Sequence, residues 1–526
     1  MALIPDNKID MNREKGNIII VSNRLPVRID RTGKRTRLIP GSGGLVTALA
    51  PVLRDRGGVW IGWDGDTSGQ SHKQLFKSKS ADLGYSLQPL SLDPEEVDLY
   101  YEGFSNATLW PLFHDFLDRC QFQPETWKAY CNVNHQFAHA VAANSEAGDF
   151  IWVQDYHLLV MGKYLDLLSV KRKKAYFIHI PFPPWDLFMR LPWCKEIIDG
   201  LLHYDLVGFQ TERDRWNFVR CVRRLLRGAI ISGPQRSQVI EYNGRITRVG
   251  SFPISIDFDG FNQLASSKEV ADEAWYIHES LPETKLVLGI DRLDYTKGIF
   301  ERLKAFEILL EKYPDVRGKI NLIQVVVPSR TNVKEYQVMK HTIDEMVGRI
   351  NGRFTKHHWV PIHYMFRSFA RTDLVSYYRT CEIALVTPLK DGMNLIAKEY
   401  CASNVDTNGV LILSEFAGAA QQLGKFSLLV NPFDIEQIAD QIYKAYHMEE
   451  GERKSRMKRL RAEVRRNNII RWLEQFLSAA GMPLPKAHTI ISTPSPSSTR
   501  GIRGIYKKDL KNETKPEGSE ARVTDG

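Results

Sequence analysis

Arg292 and Lys297 stand five residues apart just after the apolar run Leu286-Val287-Leu288. A strand end can aim two such cations at one diphosphate, and neutralising a departing diphosphate is an electrostatic contribution of several kcal/mol at a buried site. Further on, Asp391 and Glu399 are carboxylates, each with two oxygens able to accept from a pair of vicinal hydroxyls. Met393, Ile396, Ala397 and Tyr400 fall at helical spacing, which predicts a helix whose first turn presents N–H groups and Asp391 to a cleft. Near the start, Gly43-Gly44 follows the strand-like Val21-Ser22-Asn23-Arg24 and opens a second apolar stretch. A glycine pair there lets backbone N–H groups approach an anion, although taken alone such a turn is more often a device of tight packing.

These residues need a scaffold that brings distant strand ends together. Short apolar runs bounded by polar residues or Gly and Pro recur at Ile18–Val21, Phe150–Val153, Tyr176–Ile178, Leu206–Phe209, Leu286–Leu288, Ile323–Val327, Ile383–Val386 and Val410–Leu413, the pattern of buried parallel strands. Amphipathic stretches such as Ile299–Lys312 and Asp373–Tyr378 lie between them. The alternation predicts an α/β fold with two Rossmann-like, doubly wound domains facing across a cleft.

The expected division is an N-terminal extension over 1–16, a first domain over 17–252, a second over 253–450, a helical segment over 451–481 and a disordered tail over 482–526. Phe252-Pro253-Ile254-Ser255-Ile256-Asp257 reads as the passage between domains, and the Ser- and Pro-rich run Ser492–Ser498 marks the tail. The six cysteines form no CxxC pair, so reduced structural thiols are expected rather than a disulfide or zinc framework. No metal site is expected, since no His, Cys or Asp cluster has ligand spacing.

The net charge is +9, from 71 Lys and Arg against 62 Asp and Glu, which raises a nucleic-acid or anionic-surface partner. The charge is local: residues 451–471 carry nine Lys and Arg against Glu452 and Glu463, residues 482–526 carry eight against five acids, and residues 1–450 balance to zero. Met457, Leu460, Val464 and Trp472 give the basic segment an apolar stripe, so a packed helix with a solvated cationic face is the better reading. Neither a nucleic-acid nor a membrane partner is therefore expected. The start lacks a signal-like segment and no apolar stretch could span a bilayer, so a cytoplasmic location is expected.

An ordered set of motifs goes further: Asn106-Ala107-Thr108-Leu109-Trp110-Pro111, Gln154-Asp155-Tyr156-His157, His179-Ile180-Pro181-Phe182-Pro183, Asp291 to Gly298, Pro328-Ser329-Arg330, Asp391-Gly392-Met393-Asn394 and Ser414 to Ala420. In this order the set resembles the trehalose-6-phosphate synthase family, retaining nucleotide-sugar glycosyltransferases of the GT-B fold, over about Asn17 to Ala480. The resemblance implies that UDP-glucose is the donor co-substrate and glucose 6-phosphate the acceptor, with no cofactor or metal required. By this resemblance Arg24, Tyr101, Trp110 and Arg330 hold the acceptor phosphate. Gly43, Gly44, Arg292, Lys297, Phe369, Asp391, Asn394, Leu395 and Glu399 hold the donor, Asp391 at glucose hydroxyls and Glu399 at the ribose. Asp155 and His179 lie beside the reacting sugars and, with Arg292 and Lys297, form the catalytic set. The implied route is a front-face, oxocarbenium-like transfer in which the donor's own phosphate oxygen takes the acceptor's proton, with no covalent intermediate.

Three positions depart from the family pattern: Lys390 in place of an Arg, Gln421-Gln422 where an acidic residue is common, and Gly41-Ser42 before the glycine pair. They bear on donor preference, and GDP- or ADP-glucose stays open, as does a homo-oligomer. Rival readings are a glucosylglycerol-phosphate synthase, a non-catalytic regulatory subunit sensing sugar phosphates, and a phosphatase suggested by Asp257-Phe258-Asp259-Gly260. The last is disfavoured because Phe261-Asn262 follow instead of the expected Thr, and too little chain remains for a phosphatase domain.

Overall fold

Strand runs that are apolar on both faces can only be covered by helices on both sides, and the chain folds accordingly. The computed structural model describes residues 16–482 apart from 32–35, 42–43, 69, 71, 235–236, 282 and 331–332. Gly43, the extension before residue 16 and the tail beyond Met482 lie outside the described residues.

The first sheet has nine strands, in the order Ser86–Leu90, Gly58–Trp63, Ile18–Arg24, Phe150–Gln154, Lys173–Phe177, Leu206–Phe209, Arg245–Ser251, Ser237–Tyr242 and Ile230–Ser232. The first seven are parallel and the last two add antiparallel hairpins. The second sheet is wholly parallel, in the order Ile362–Phe366, Ile320–Val327, Lys285–Arg292, Ile383–Val386, Val410–Ser414 and Leu428–Val430. Two doubly wound sheets of this kind are the GT-B arrangement, and every strand read from the sequence is present. Gly58–Trp63 and Ile362–Phe366 escape a reading by apolar runs, the former because two glycines interrupt it and the latter because His363 and Tyr364 break the pattern.

Helix Ile299–Lys312 has the bounds its periodicity predicts. The helix expected from Asp391 instead begins at Leu395, since Asn394 takes the left-handed conformation at φ 68°. Asp391 and Met393 thus belong to the preceding loop. Asp257-Phe258-Asp259-Gly260 is a helix start: the Asp257 side chain accepts from the Gly260 N–H at 2.9 Å and caps Phe258–Ala265.

The segment after residue 450 is two helices, Glu450–Arg466 and Ile469–Ala479. The first buries Met457, Leu460 and Val464. The second returns to the first sheet, where Trp472 and Phe476 stack on Trp152 at centroid distances of 5.5 and 4.4 Å. Its cap also grips the crossover. Ile469 N–H donates to the Ile256 carbonyl at 2.9 Å, and Trp472 Nε1 to the Phe252 carbonyl at 3.0 Å. Among the described residues no helix is long and apolar enough to cross a membrane.

Candidate active site

The segment Val97–Leu109 is a π-helix, a winding rare enough to mark a functional stretch. It carries Tyr101, and Trp110 opens the next turn. From these two rings a continuous aromatic wall runs across the first domain. Arg24 lies over Trp63 at 3.7 Å and over Tyr101 at 5.6 Å. Tyr101 stacks on His157 at 5.8 Å, His157 contacts Tyr156 at 3.9 Å, and Tyr156 meets Trp110 at 5.5 Å. At the far end Arg330, contributed by the second domain, lies over Trp110 at 5.1 Å. The four residues expected at the acceptor phosphate therefore share one wall with a guanidinium at each end. Both cations are felt in the middle: burial first, then the charges of Arg330 and Arg24, depress the His157 pKa to about 3. The buried Trp110 Nε1 has no hydrogen-bond partner among the described residues.

Residues expected at the donor gather at the facing strand ends of the second sheet. Lys285–Arg292 ends in Arg292, which is exposed and whose side chain forms no hydrogen bond or ion pair with another described residue. Asp294 caps the turn Tyr295–Lys297, and Gly298 closes it at φ 65°, where a Cβ would lie 2.2 Å from the Thr387 carbonyl oxygen. Lys297 Nζ then pairs with Asp391 Oδ2 at 2.7 Å, and Asn394 Nδ2 donates to the same oxygen at 3.2 Å. Burial works to raise the Asp391 pKa, but the Lys297 charge and hydrogen bond hold it below its ordinary value. Behind this cluster the fully buried Arg302 pairs with Asp291 at 2.7 Å and holds the turn from beneath.

Glu399 lies on the helix Leu395–Ser403, accepts from Tyr378 OH at 2.9 Å, and has its pKa raised by burial. Leu395 is the first residue of that helix. Phe369 packs on Tyr377 at 5.3 Å. Gly44 opens the helix Gly44–Arg56.

Asp155 and His179 stand at adjacent strand ends of the first sheet. Asp155 has φ 69°, a left-handed backbone that a non-glycine residue adopts at a cost of about 1–3 kcal/mol. Its Oδ1 accepts from the His179 N–H at 3.2 Å. Burial pushes its pKa up to about 6, and the N–H groups of Tyr156, His179 and Ile180 together with the Arg292 charge limit the rise. The His179 ring is occupied on both sides. Nε2 donates to Gln154 Oε1 at 2.9 Å, and Nδ1 accepts from Gln210 Nε2 at 3.3 Å. Gln210 Oε1 in turn accepts from the Ile254 N–H at 2.9 Å, which fixes the orientation of that amide. Burial lowers the His179 pKa to about 3, which keeps the ring neutral near pH 7. Its backbone matters equally: a Cβ on Gly392 would lie 2.1 Å from the His179 carbonyl oxygen, so the loop of Asp391 reaches the first domain only because residue 392 is glycine.

Several residues without a role assigned from sequence complete the cleft. Asp115 pairs with Lys390, Phe116 meets Tyr295 at 5.1 Å, and Arg119 lies over Tyr295 at 4.6 Å, so the stretch after Trp110 docks on the second domain. Gln154 and Gln210 could have been suspected only from their places at strand ends, and Asn106 only from its motif. Among the described residues no group of three or more His, Cys, Asp or Glu could hold a metal ion.

Two facing Rossmann-like domains, with paired cations on one side and a cation-flanked aromatic wall on the other, define a glycosyltransferase of the GT-B class. The family profile of glycosyltransferase family 20 matches residues 16–481, and the chain belongs to that family. It is 40% identical over 494 residues to the trehalose-6-phosphate synthase of Mycolicibacterium smegmatis, covering 92% of this chain and 97% of that one. It is 41% identical over 476 residues to a bifunctional trehalose-6-phosphate synthase/phosphatase of Thermoproteus tenax, covering 88% of this chain but spanning only 63% of that relative's length. Among solved structures, an α,α-trehalose-phosphate synthase (UDP-forming) from Burkholderia xenovorans in complex with glucose 6-phosphate superposes with a TM-score of 0.80 at 34% identity, over 89% of this chain and all of that one.

Proposed function

We propose that this chain transfers glucose from UDP-glucose to glucose 6-phosphate, with retention at the anomeric carbon, giving trehalose 6-phosphate and UDP. The observation that carries the reading is the pair of guanidiniums, Arg24 and Arg330, at the two ends of one aromatic wall whose central His157 feels both charges. Such a site suits a phosphate dianion attached to a sugar, since the cations take the phosphate and the rings take the hexose faces. The sequence likeness to named synthases and the likeness to a UDP-forming enzyme bound to glucose 6-phosphate support the same substrates.

On this reading Arg24, Tyr101, Trp110 and Arg330 hold the acceptor. Arg292 and Lys297 take the diphosphate, Asp391 a glucose hydroxyl and Glu399 the ribose, with Gly43, Gly44, Phe369, Asn394 and Leu395 lining the donor site. The acceptor hydroxyl adds to C1 on the face from which UDP departs, the C1–O bond to UDP breaks, and the proton passes to the leaving phosphate oxygen. The side chains orient both sugars and stabilise charge. Asp155 steadies the positive charge that develops at the ring. The working halves are 17–252 and 253–450. Free thiols at all six cysteines fit a cytoplasmic setting.

The test is a matrix of UDP-, GDP- and ADP-glucose against glucose 6-phosphate and glycerol 3-phosphate, with products identified by mass spectrometry and NMR. UDP release with α,α-linked trehalose 6-phosphate is expected. Transfer to glycerol 3-phosphate in its place would overturn the acceptor assignment, and no turnover with any pair would leave a sugar-phosphate-binding regulatory protein.

A further inference from the structure

One amide side chain ties together the parts of the acceptor wall that come from different domains. Asn106 lies on the π-helix Val97–Leu109. Its Oδ1 accepts from Arg330 Nη2 at 2.9 Å and from Tyr156 OH at 3.0 Å, and its Nδ2 donates to Glu102 Oε2 at 3.4 Å. A guanidinium can only donate, so the amide oxygen must be the atom that faces Arg330.

The helix type explains how Asn106 reaches this place. A π-helix closes its hydrogen bonds from i to i+5, so residues five apart lie nearly one above the other. Tyr101 and Asn106 are five apart, and the one stacks on His157 while the other meets Tyr156 and Arg330. With ~3.6 residues per turn an α-helix would turn the two well away from each other. Arg330 itself sits at φ 48°, and its side chain also donates from Nη1 to Tyr336 OH at 2.6 Å and lies over the rings of Trp110 and Tyr336. Its guanidinium is thus held by partners from both domains.

We propose that Asn106 is the positioning residue for the acceptor phosphate: it draws Arg330 of the second domain into the pocket of the first without neutralising it. The choice of an amide is what matters. A carboxylate at this position would accept the same two hydrogen bonds but would form an ion pair with Arg330 and repel a dianion. Asn106 therefore sets the preference for a phosphorylated acceptor by acting through Arg330. This deepens the function proposed above and rests on it.

The experiment compares Asn106→Asp, Asn106→Ala, Arg330→Ala and the Asn106→Ala/Arg330→Ala double variant, each checked for an unchanged circular-dichroism spectrum. Glucose 6-phosphate is varied at saturating UDP-glucose, then the reverse. Asn106→Asp is expected to raise the KM for glucose 6-phosphate by roughly ten-fold or more, with the KM for UDP-glucose within two-fold of wild type. The double variant is expected to be no worse than Arg330→Ala alone, because the amide works through that guanidinium. A KM unchanged in Asn106→Asp, or an alanine effect that adds in full to Arg330→Ala, overturns the proposal. If the wild-type chain turns over no glucose 6-phosphate, the function reading falls separately, and calorimetric binding of inorganic phosphate decides this one. Weaker binding by Asn106→Asp supports it and equal binding overturns it.

Discussion

Lys297 and Asp391, 94 residues apart in the chain, meet as an ion pair of 2.7 Å in which each side chain is largely buried, at 9% and 16% exposure. The pair joins the turn Tyr295–Lys297 to the loop before helix Leu395–Ser403, so the two segments proposed to hold the donor's diphosphate and glucose form one unit. Removing either member leaves the other charge buried and unpaired.

Lys297→Met is therefore expected to lower kcat by on the order of 10²–10³-fold, the scale seen when one preorganised charge stabiliser is lost. It should also lower stability by about 3 kcal/mol through the stranded Asp391. Steady-state kinetics at saturating substrates and thermal melts measure the two effects, and near-normal turnover would remove Lys297 from the catalytic set.

Asp155 predicts a trade of stability for function. Its folded pKa is near 6 against 3.8 for the ordinary group. Below pH 3.8 both states are protonated and nothing is lost. Between 3.8 and 6 the folded state holds the proton more tightly, so stability falls as pH rises, and above 6 the full penalty is present. Asp155→Asn keeps an acceptor for the surrounding N–H groups without that penalty. It should melt a few degrees higher than wild type at pH 7.5, lose the gain towards pH 4, and show turnover lowered by at least about 10²-fold. A variant that melts lower at pH 7.5 than at pH 4, relative to wild type, contradicts the assignment.

His179 should not titrate across the working range. With both ring nitrogens held by Gln154 and Gln210 and the pKa near 3, its NMR ring resonances are expected to stay flat from pH 5 to 8, in the Nε2–H tautomer. A midpoint between 5 and 8 would show that the ring exchanges protons and would contradict a ring held neutral.

Lys398 anchors the crossover. It is 1% exposed, its Nζ donates to the Ile254 carbonyl at 2.7 Å, and burial lowers its pKa to about 7 from 10.5. The unfolded chain binds this proton more tightly, so the penalty is complete below pH 7 and is relieved as pH rises towards 10.5. Wild-type stability should therefore carry an upward contribution between pH 7 and 9 that is missing in Lys398→Met. The variant also leaves the Ile254 carbonyl unpaired, a loss of about 1–3 kcal/mol against the charge relief. Melts at pH 6.5 and 9 read the difference, and parallel curves for the two proteins would show that Lys398 does not titrate there.

Much of this protein is determined by its residue pattern alone. Apolar runs of three to five residues alternating with amphipathic stretches point to doubly covered parallel strands, and the period of Ile299–Lys312 points to an amphipathic helix, because burying those side chains is a local rule repeated along the chain. The motifs likewise carried Arg292, Lys297, Asp391 and Arg330 to the cleft, since residues at strand ends of such sheets face it whatever the loops do. What the sequence left open were relationships between elements. That Lys297 pairs with Asp391, that His179 has no free nitrogen, that helix Ile469–Ala479 returns to Trp152 of the first sheet, and that Asn106 meets Arg330 across 224 residues all depend on where two domains dock. The helix start at Leu395 in place of Asp391 has the same origin: Asn394 takes φ 68° while Gly392 lies against the His179 carbonyl. Periodicity records how each element is buried, but pairing across a cleft is set by the joint fit of two surfaces, and only the tertiary structure holds that information.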